Sequence, residues 1–250
     1  GFHLTQIVLH TLNSFLALLV LLLARVPRRV ALGAAFIYSA HPIHVESVVW
    51  IASRKNLLSS FFIFLSMIYY LRHVQRPAFS WGNYLAALCL FVLALLSKPI
   101  AVVLPLIFIL YDLCMANRGL RLTEKIPFFF GSFLVAGATF LIPSAGHKIV
   151  DYAGGDFSLT VLYMMRAYWD YISSLVFPFS LSPLYYYTRS NLWEWQSLAS
   201  YILIPSVVVL SVTRRRAKPL FTFFVGWFFF WLLPVSNIVP LTTLRQDRYL

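Results

Sequence analysis

Helix-length runs of apolar residues alternate along this chain with short polar segments, many of them basic. A membrane-spanning helix needs roughly 20 predominantly apolar residues, with a range of about 17–25. About eight runs approach this length, at residues 4–24, 30–46, 53–71, 81–97, 100–115, 126–143, 198–213 and 219–235. The pattern predicts an all-α polytopic membrane protein with about eight transmembrane helices, in which residues 1–250 form a single transmembrane domain.

One further run, at residues 158–178, is more polar than the others because Arg166 and Asp170 lie four residues apart within it. Aromatic residues surround this pair, and such residues concentrate at the headgroup level of a membrane. We expect an interfacial helix along the outer face, with a tilted span as the alternative. The Tyr- and Trp-rich segment 179–196 is too polar to span, and is expected to form an outer loop, either a membrane-interface belt or a ligand platform.

Charge predicts the orientation of these helices. The chain is 60% hydrophobic and 11% charged, with 20 Lys and Arg against 8 Asp and Glu. Twelve of the twenty basic residues lie in four alternate loops, at 25–29, 72–76, 117–125 and 214–218. The positive-inside rule places these loops in the cytoplasm and the intervening ones on the extracytoplasmic face. In a membrane protein this basic excess indicates loops that anchor to lipids, so we do not expect a nucleic-acid partner.

The most polar stretch on the predicted outer side is residues 41–60, HPIHVESVVWIASRKNLLSS. Within fifteen residues it contains five polar or charged candidates: His41, His44, Glu46, Arg54 and Lys55. A charge left in hydrocarbon costs roughly 2.5–3.5 kcal/mol on insertion scales. Such a concentration of polarity therefore indicates either an ordinary hydrated loop between two spans or the working surface of a membrane protein.

Other ionisable residues of the predicted outer side extend this surface, namely Lys98, Arg166, Asp170, Arg245, Asp247 and Arg248. Several cations near one another suit a phosphate or diphosphate, and a neighbouring carboxylate suits a general base. The predicted phosphate ligands are Arg54, Lys55, Lys98 and Arg248; the predicted auxiliary carboxylate is Glu46, and the predicted supporting residues are His41, His44 and Asp247.

Each of these residues also has a structural interpretation. Arg54 and Lys55 could anchor a loop, Lys98 could pair with a buried carboxylate, and Asp247–Arg248 could form a structural ion pair. A divalent metal bound by His41, His44 and Glu46 is a further alternative, although this spacing is not that of a zincin helix. The chain contains no GxSxG, P-loop, GxGxxG or HExxH motif, so the sequence does not indicate the soluble enzyme classes that carry them.

Four segments, in order, carry a family resemblance. HPIHVESVVWIASRKNLLSSFF resembles the signature HPxHxExVxWxxxRKDxLSxxF of the transmembrane and tetratricopeptide-repeat O-mannosyltransferase-like proteins of the GT-C glycosyltransferase superfamily. LLSKPIAVVLPLIFILYD is similar to their SKP span, YWDYISSLVFPFSLSPLYYY to their YWxYLxxLxxPxxLSxxY segment, and LLPVSNIVPLTTLRQDRYL to the segment leading into RYxYLPxxG. Asn56 departs from the pattern, because many relatives have Asp at that position.

The resemblance implies a GT-C-like fold whose active site lies at the outer membrane face, in a bacterial inner membrane or the endoplasmic reticulum. It implies transfer of a sugar from a polyprenyl-phosphate donor to a protein or glycan hydroxyl. It also implies a longer protein, with a first outer loop that carries the principal carboxylate, and C-terminal repeats, outside these 250 residues. Two other functions fit the same surface: a non-catalytic membrane subunit of a larger complex, and a carrier of lipid-linked substrates.

Overall fold

The computed structural model describes residues 1–116, 119–141, 152, 155–179, 181–182, 185–238 and 244–245. These residues contain helices and no β-strand. The α-helices are α1 (Phe2–Leu23), α2 (Arg28–Ala40), α3 (Val45–Val49), α4 (Arg54–Gln75), α5 (Trp81–Ser97), α6 (Leu104–Cys114), α7 (Ile126–Leu141), α8 (Phe157–Val176), α9 (Trp195–Thr213) and α10 (Pro219–Leu232). The chain divides into two compact units, Gly1–Ile142 and Pro143–Leu250.

Three of the described helices are long and apolar enough to cross a membrane: His3–Leu23, Arg54–Gln75 and Trp195–Thr213. Shorter apolar helices occupy Trp81–Ser97, Pro99–Cys114 and Pro219–Val235. These elements confirm the predicted all-α membrane fold, whereas eight spans and a single transmembrane domain stay predictions. The second predicted span, 30–46, is too long, because α2 ends at Ala40 just before His41–Pro42.

The first unit is built around α4, which packs along α1 and α5. Small polar side chains bridge these helices by donating to backbone carbonyls. The Asn13 Nδ2 atom of α1 donates to the Leu57 carbonyl of α4 at 2.9 Å, and the Ser66 hydroxyl of α4 donates to the Ala87 carbonyl of α5 at 2.7 Å. Such hydrogen bonds add to van der Waals packing where no hydrophobic force drives helices together in lipid.

Aromatic rings fill the other side of the first unit. The rings of Tyr70 and Phe108 stack with centroids 3.8 Å apart, and Phe128 meets Phe108 edge-on at 5.2 Å. Gly131 lets α7 approach α5 closely, because a Cβ atom at this position would lie 3.2 Å from the Phe91 ring. Tight aromatic packing therefore fixes α7 against α5 and α6.

A buried ionic network lies beneath these rings, which the sequence interpretation does not anticipate. Lys125 forms an ion pair with Asp112, and both side chains are fully buried. The Tyr70 hydroxyl also donates to Asp112, at 3.0 Å, and a second carboxylate, Glu124, lies 3.3 Å from the His73 Nε2 atom. Lys125, predicted as part of a basic anchoring loop, is instead an interior residue, because its ammonium finds a carboxylate inside the unit.

The second unit contains α8, α9 and α10. Its α8 is amphipathic, since its buried residues fall three or four positions apart along one stripe: Thr160, Tyr163, Met164, Ala167, Tyr171 and Ser174. Part of the core forms where Tyr171 packs with Leu232 and Val235. The Thr222 hydroxyl of α10 donates to the Ser211 carbonyl of α9 at 2.7 Å, which links these two helices.

Candidate functional site

The predicted polar stretch folds as a compact connection between α2 and α4. The residue before a proline is disfavoured in helix, so α2 stops at Ala40 and His41 takes an extended conformation (φ −69°, ψ 129°). The His41 side chain then accepts a hydrogen bond from the Ile43 N–H at 3.2 Å. A 3₁₀ turn over Pro42–His44 leads into α3. The stretch is therefore a folded connection rather than an open loop.

A buried glutamine of α1 holds this connection in place. The Gln6 Nε2 atom donates to the Trp50 carbonyl at 2.9 Å and to the Ser47 carbonyl at 3.3 Å, and the Gln6 side chain is fully buried. Both carbonyls belong to α3 and its C-terminal cap. The hydrogen bonds therefore fix the short helix that carries Glu46, whose side chain is partly buried.

Histidine and tyrosine rings cluster on the other side of the connection. The His44 ring lies 4.5 Å from that of Tyr38 and 5.4 Å from that of His10, measured between centroids. Burial, followed by the neighbouring positive charges of His10 and His41, lowers the pKa of His44 from 6.5 to about 4. His44 is therefore neutral at physiological pH, and acts as a packed ring rather than as a cation for phosphate.

The same arrangement does not support the divalent metal considered for His41, His44 and Glu46. Among the described residues, no group of three His, Cys, Asp or Glu side chains is placed to hold a metal ion. A 3₁₀ turn repeats every three residues, so it brings positions 41 and 44 to one side. Glu46 follows after two more residues, inside α3, and leaves that side. The described geometry therefore gives no support to a metal at these three residues, and that alternative stays untested.

The register of α4 and α5 brings the predicted cations to one end of the first unit. The Ser59 hydroxyl of α4 donates to the Ala94 carbonyl of α5 at 3.3 Å. Two helical turns further along α4, the Ser66 hydroxyl donates to the Ala87 carbonyl in the same way. Seven residues forward on α4 thus match seven residues backward on α5, which is an antiparallel register. Extended to the helix ends, this register places Asn56 opposite Ser97, so Lys55 and Lys98 lie next to that pair in the sequence, at the same end of the two helices.

Arg54 and Lys55 open α4, whereas Lys98 follows the last residue of α5. Lys98 is extended (φ −158°, ψ 129°) because Pro99 follows it. Arg54 and Lys98 are partly buried and Lys55 is exposed. Asp247 and Arg248, the remaining predicted site residues, lie outside the described part of the chain.

A second polar cluster lies in the second unit, centred on Asp170 of α8. Arg166, one turn earlier, donates through Nε to Asp170 Oδ1 at 3.0 Å, and through Nη1 to Glu194 Oε2 at 2.7 Å. The Tyr187 hydroxyl donates to Asp170 Oδ2 at 2.8 Å. The hydrogen bonds from Arg166 and then Asn191 lower the pKa of Glu194.

Arg245 reaches the same cluster from the C-terminal part of the unit. Its Nη1 atom lies 3.6 Å from Asp170 Oδ2, and its Nη2 atom donates to the Ser174 hydroxyl at 2.5 Å. The guanidinium carbon lies 3.7 Å from the centre of the Tyr185 ring, a cation–π distance. Although Arg245 is buried, a carboxylate, a hydroxyl and an aromatic face therefore compensate its charge.

These residues surround a pocket of about 310 Å³. Its walls come from α8 and the aromatic segment after it: Arg166, Asp170, Ser173, Ser174, Phe177, Tyr185, Tyr186, Tyr187, Asn191 and Arg245. Small-molecule sites are concave and usually occupy about 300–1,000 Å³. The pocket therefore has room for a small ligand of roughly monosaccharide size.

Sequence reasoning identified the charged residues of this pocket but missed the polar ones of its rim. Tyr187 and Asn191 lie in the segment predicted as an outer aromatic loop, either a membrane-interface belt or a ligand platform, and neither residue was singled out there. One local signal was available, since Thr188 and Asn191 have the spacing of a capping box, and both of its hydrogen bonds are present. A capped turn at 188–193 would have predicted a folded loop rather than a plain interface belt.

Comparison with known proteins shows similarity to protein O-mannosyl-transferases. The chain is 30% identical over 126 residues to Tmtc1 of Drosophila melanogaster, 34% over 125 residues to Tmtc2 of the same species, and 28% over 97 residues to TMTC2 of Homo sapiens. These alignments cover 50%, 48% and 38% of this chain, but 12–14% of the length of the relatives. No protein-family model and no solved structure matches the chain.

The names of these relatives agree with the family that the sequence motifs indicate, and the apolar helices agree with a membrane fold. Over about half of its length, the chain is therefore similar to proteins named protein O-mannosyl-transferases, in line with the resemblance that its motifs carry.

Proposed function

We propose that this chain is part of a membrane glycosyltransferase that moves mannose from a polyprenyl-phosphate donor to a protein hydroxyl at the extracytoplasmic face. The relatives that it resembles are named protein O-mannosyl-transferases. The polyprenyl-phosphate donor and the outer face rest on the motif resemblance and on the distribution of basic loops. Donor, acceptor and membrane lipids are thus the expected partners.

The observation that carries this proposal is the antiparallel register that brings the start of α4, with Arg54 and Lys55, to the end of α5, which Lys98 follows. Two hydrogen bonds between α4 and α5 define that register. It gathers Arg54, Lys55 and Lys98 at one end of two apolar helices, where a lipid tail could lie along the helices and its phosphate could meet the cations. Arg and Lys both bind phosphate, Arg through a planar fork and Lys as a point charge.

The reaction is a substitution at the anomeric carbon of the donor sugar. The acceptor oxygen forms the new bond to this carbon while the bond to the phosphate oxygen breaks, and the electron pair leaves with the polyprenyl phosphate. Arg54, Lys55 and Lys98 would stabilise the negative charge that develops on this leaving group. The acceptor proton passes to a carboxylate, which the family resemblance places outside these 250 residues. Glu46 would support this base from α3.

The test uses the full-length protein and a labelled polyprenyl-phosphate mannose. We expect Arg54→Ala and Lys98→Ala each to lower kcat/KM for the donor by about 10- to 100-fold, the range for losing a hydrogen bond to a charged group. Arg72→Ala is the matched control, because Arg72 is exposed in the last turn of the same helix, α4. Its kcat/KM should stay within about twofold of wild type.

Three outcomes would overturn the proposal. Unchanged transfer in Arg54→Ala and Lys98→Ala at donor concentrations below KM would remove the cations from the mechanism. Movement of the labelled lipid into sealed vesicles without cleavage of its sugar–phosphate bond would indicate a carrier instead of an enzyme. Absence of both activities from an otherwise folded full-length protein would favour a non-catalytic subunit.

A further inference from the structure

We propose that the pocket around Asp170, in the second unit, binds a neutral pyranose ring. Only the choice of mannose as its ligand rests on the proposed function. The pocket geometry, its charge balance and its aromatic rim carry the assignment.

Charge balance argues first for a neutral ligand. Arg166 lies between two carboxylates, with Nε 3.0 Å from Asp170 and Nη1 2.7 Å from Glu194. The second arginine, Arg245, lies 3.6 Å from the same aspartate. Two cations thus face two anions. Of the two carboxylates only Asp170 lines the pocket, and both arginines already face it, so a phosphate entering here would meet this carboxylate at close range, whereas a sugar brings no net charge.

The polar groups suit the hydroxyls of a sugar. A carboxylate offers about four lone-pair positions, and the two oxygens of Asp170 accept one hydrogen bond from Arg166 and one from Tyr187. Sugar hydroxyls can donate to the remaining positions and accept from guanidinium or amide N–H groups. Asn191 lines the same wall and is itself oriented by the Thr188 N–H, which donates to its Oδ1 atom at 2.7 Å. Planar side chains held by such neighbours are preorganised for directional recognition.

Aromatic residues supply the apolar part of the site. Tyr185, Tyr186 and Phe177 line the pocket, and Tyr186 is 82% exposed. The C–H face of a pyranose ring is apolar, so it can pack on an aromatic face while the ring hydroxyls point to Asp170. A tyrosine offers both kinds of contact, since it joins an apolar ring to a polar hydroxyl.

The pocket can be filled without touching its ion pairs. Ser173 lines it and is partly buried, whereas the preceding residue, Ile172, is 41% exposed and does not line it. Ser173→Trp would place an indole in the pocket, and Ile172→Trp would add the same side chain outside it. A second pair tests the rim: Tyr186→Ala removes a lining ring, and Trp193→Ala removes a 79% exposed ring of the same segment that does not line the pocket.

The experiment measures binding of methyl α-D-mannopyranoside to the full-length protein in nanodiscs by saturation-transfer difference NMR, with inorganic phosphate as competitor. We expect saturable binding that phosphate does not displace. Ser173→Trp should weaken it more than tenfold and Tyr186→Ala by about 2- to 10-fold, the range for one aromatic contact. Ile172→Trp and Trp193→Ala should bind like wild type.

Binding that survives in Ser173→Trp, or saturable phosphate binding that Ser173→Trp abolishes, would overturn the assignment. So would wild-type protein that transfers mannose yet shows no mannoside binding. Saturable mannoside binding with the expected variant pattern supports the site even if the protein transfers no sugar, because binding is read directly. Failure of the sugar site and failure of the transferase proposal are therefore distinguishable.

Discussion

Replacing Lys125 with methionine removes the cation from the buried ion pair with Asp112 and leaves the packing volume almost unchanged. The aspartate is 2% exposed and the lysine is fully buried. After the change the carboxylate keeps one described hydrogen bond, from the Tyr70 hydroxyl at 3.0 Å. Removing one partner of a buried pair typically costs about 3–5 kcal/mol, because the other charge is left uncompensated. We expect Lys125→Met to destabilise the first unit by about that amount.

The matched control is Arg121→Met, one helical turn earlier. Arg121 lies 3.4 Å from Glu124, but its side chain is 50% exposed, so its ion pair is screened by solvent. Exposed pairs contribute about 0–1 kcal/mol. Thermal denaturation of the purified protein in detergent, followed by loss of monodisperse elution on size exclusion, should therefore show a large drop in Tm for Lys125→Met and a small one for Arg121→Met.

A double variant tests the reason for the effect. Asp112→Asn removes the orphaned charge while it keeps the shape, so Lys125→Met with Asp112→Asn should be more stable than Lys125→Met alone. If the single Lys125→Met variant denatures at the temperature of Arg121→Met, the lysine does not stabilise the interior. If adding Asp112→Asn lowers the Tm of Lys125→Met further, uncompensated charge on Asp112 is not the cause of the destabilisation.

Two further predictions concern pH and helix packing. Since the folded state lowers the pKa of His44 to about 4, its contribution to stability is complete above about pH 6.5 and is lost as the pH falls toward 4. Between pH 6.5 and pH 4, the free energy of unfolding of the wild type should fall by about 1–3 kcal/mol more than that of His44→Gln. Tm measured against pH should therefore fall more steeply for the wild type, and parallel curves would contradict the pKa shift. In α7, Gly131→Leu should destabilise the folded protein by about 1–3 kcal/mol through overpacking against Phe91. Gly137→Leu is the control and should have little effect, because a Cβ atom at Gly137 meets nothing within 4 Å. Equal Tm values for the two variants would refute a close approach at Gly131.

The helices of this protein could be predicted well because apolar runs and prolines act locally. The run at 81–97 coincides with α5, whose end follows from Pro99, and the run at 158–178 matches α8 to within two residues at each end. The second run was predicted six residues too long at its C-terminal end, since hydrophobicity continues past Pro42 although helix does not. Local rules of this kind need no knowledge of what packs against the chain.

Which charges are interior could not be predicted in the same way. Lys125 and Arg121 look alike as members of one basic segment, yet one is fully buried and the other half exposed. Only the folding of α6 beside the start of α7 supplies Asp112 as a partner, thirteen residues away. Whether a lysine lies at the membrane surface or inside the protein depends on whether the fold places a carboxylate beside it. The hydropathy of the sequence carries no information about such a partner.

For the candidate sites, too, some features follow from local sequence and others from contacts between distant residues. The sequence by itself determined the all-α membrane class, the family resemblance and the residue types suited to phosphate, because each depends on composition, local order or motif. The tertiary structure decided that the start of α4 meets the end of α5, that His44 packs as a neutral ring, and that Arg166, Tyr187 and Arg245 converge on Asp170. Those facts depend on helix register and on contacts between distant residues, which a periodic pattern leaves free and close packing fixes.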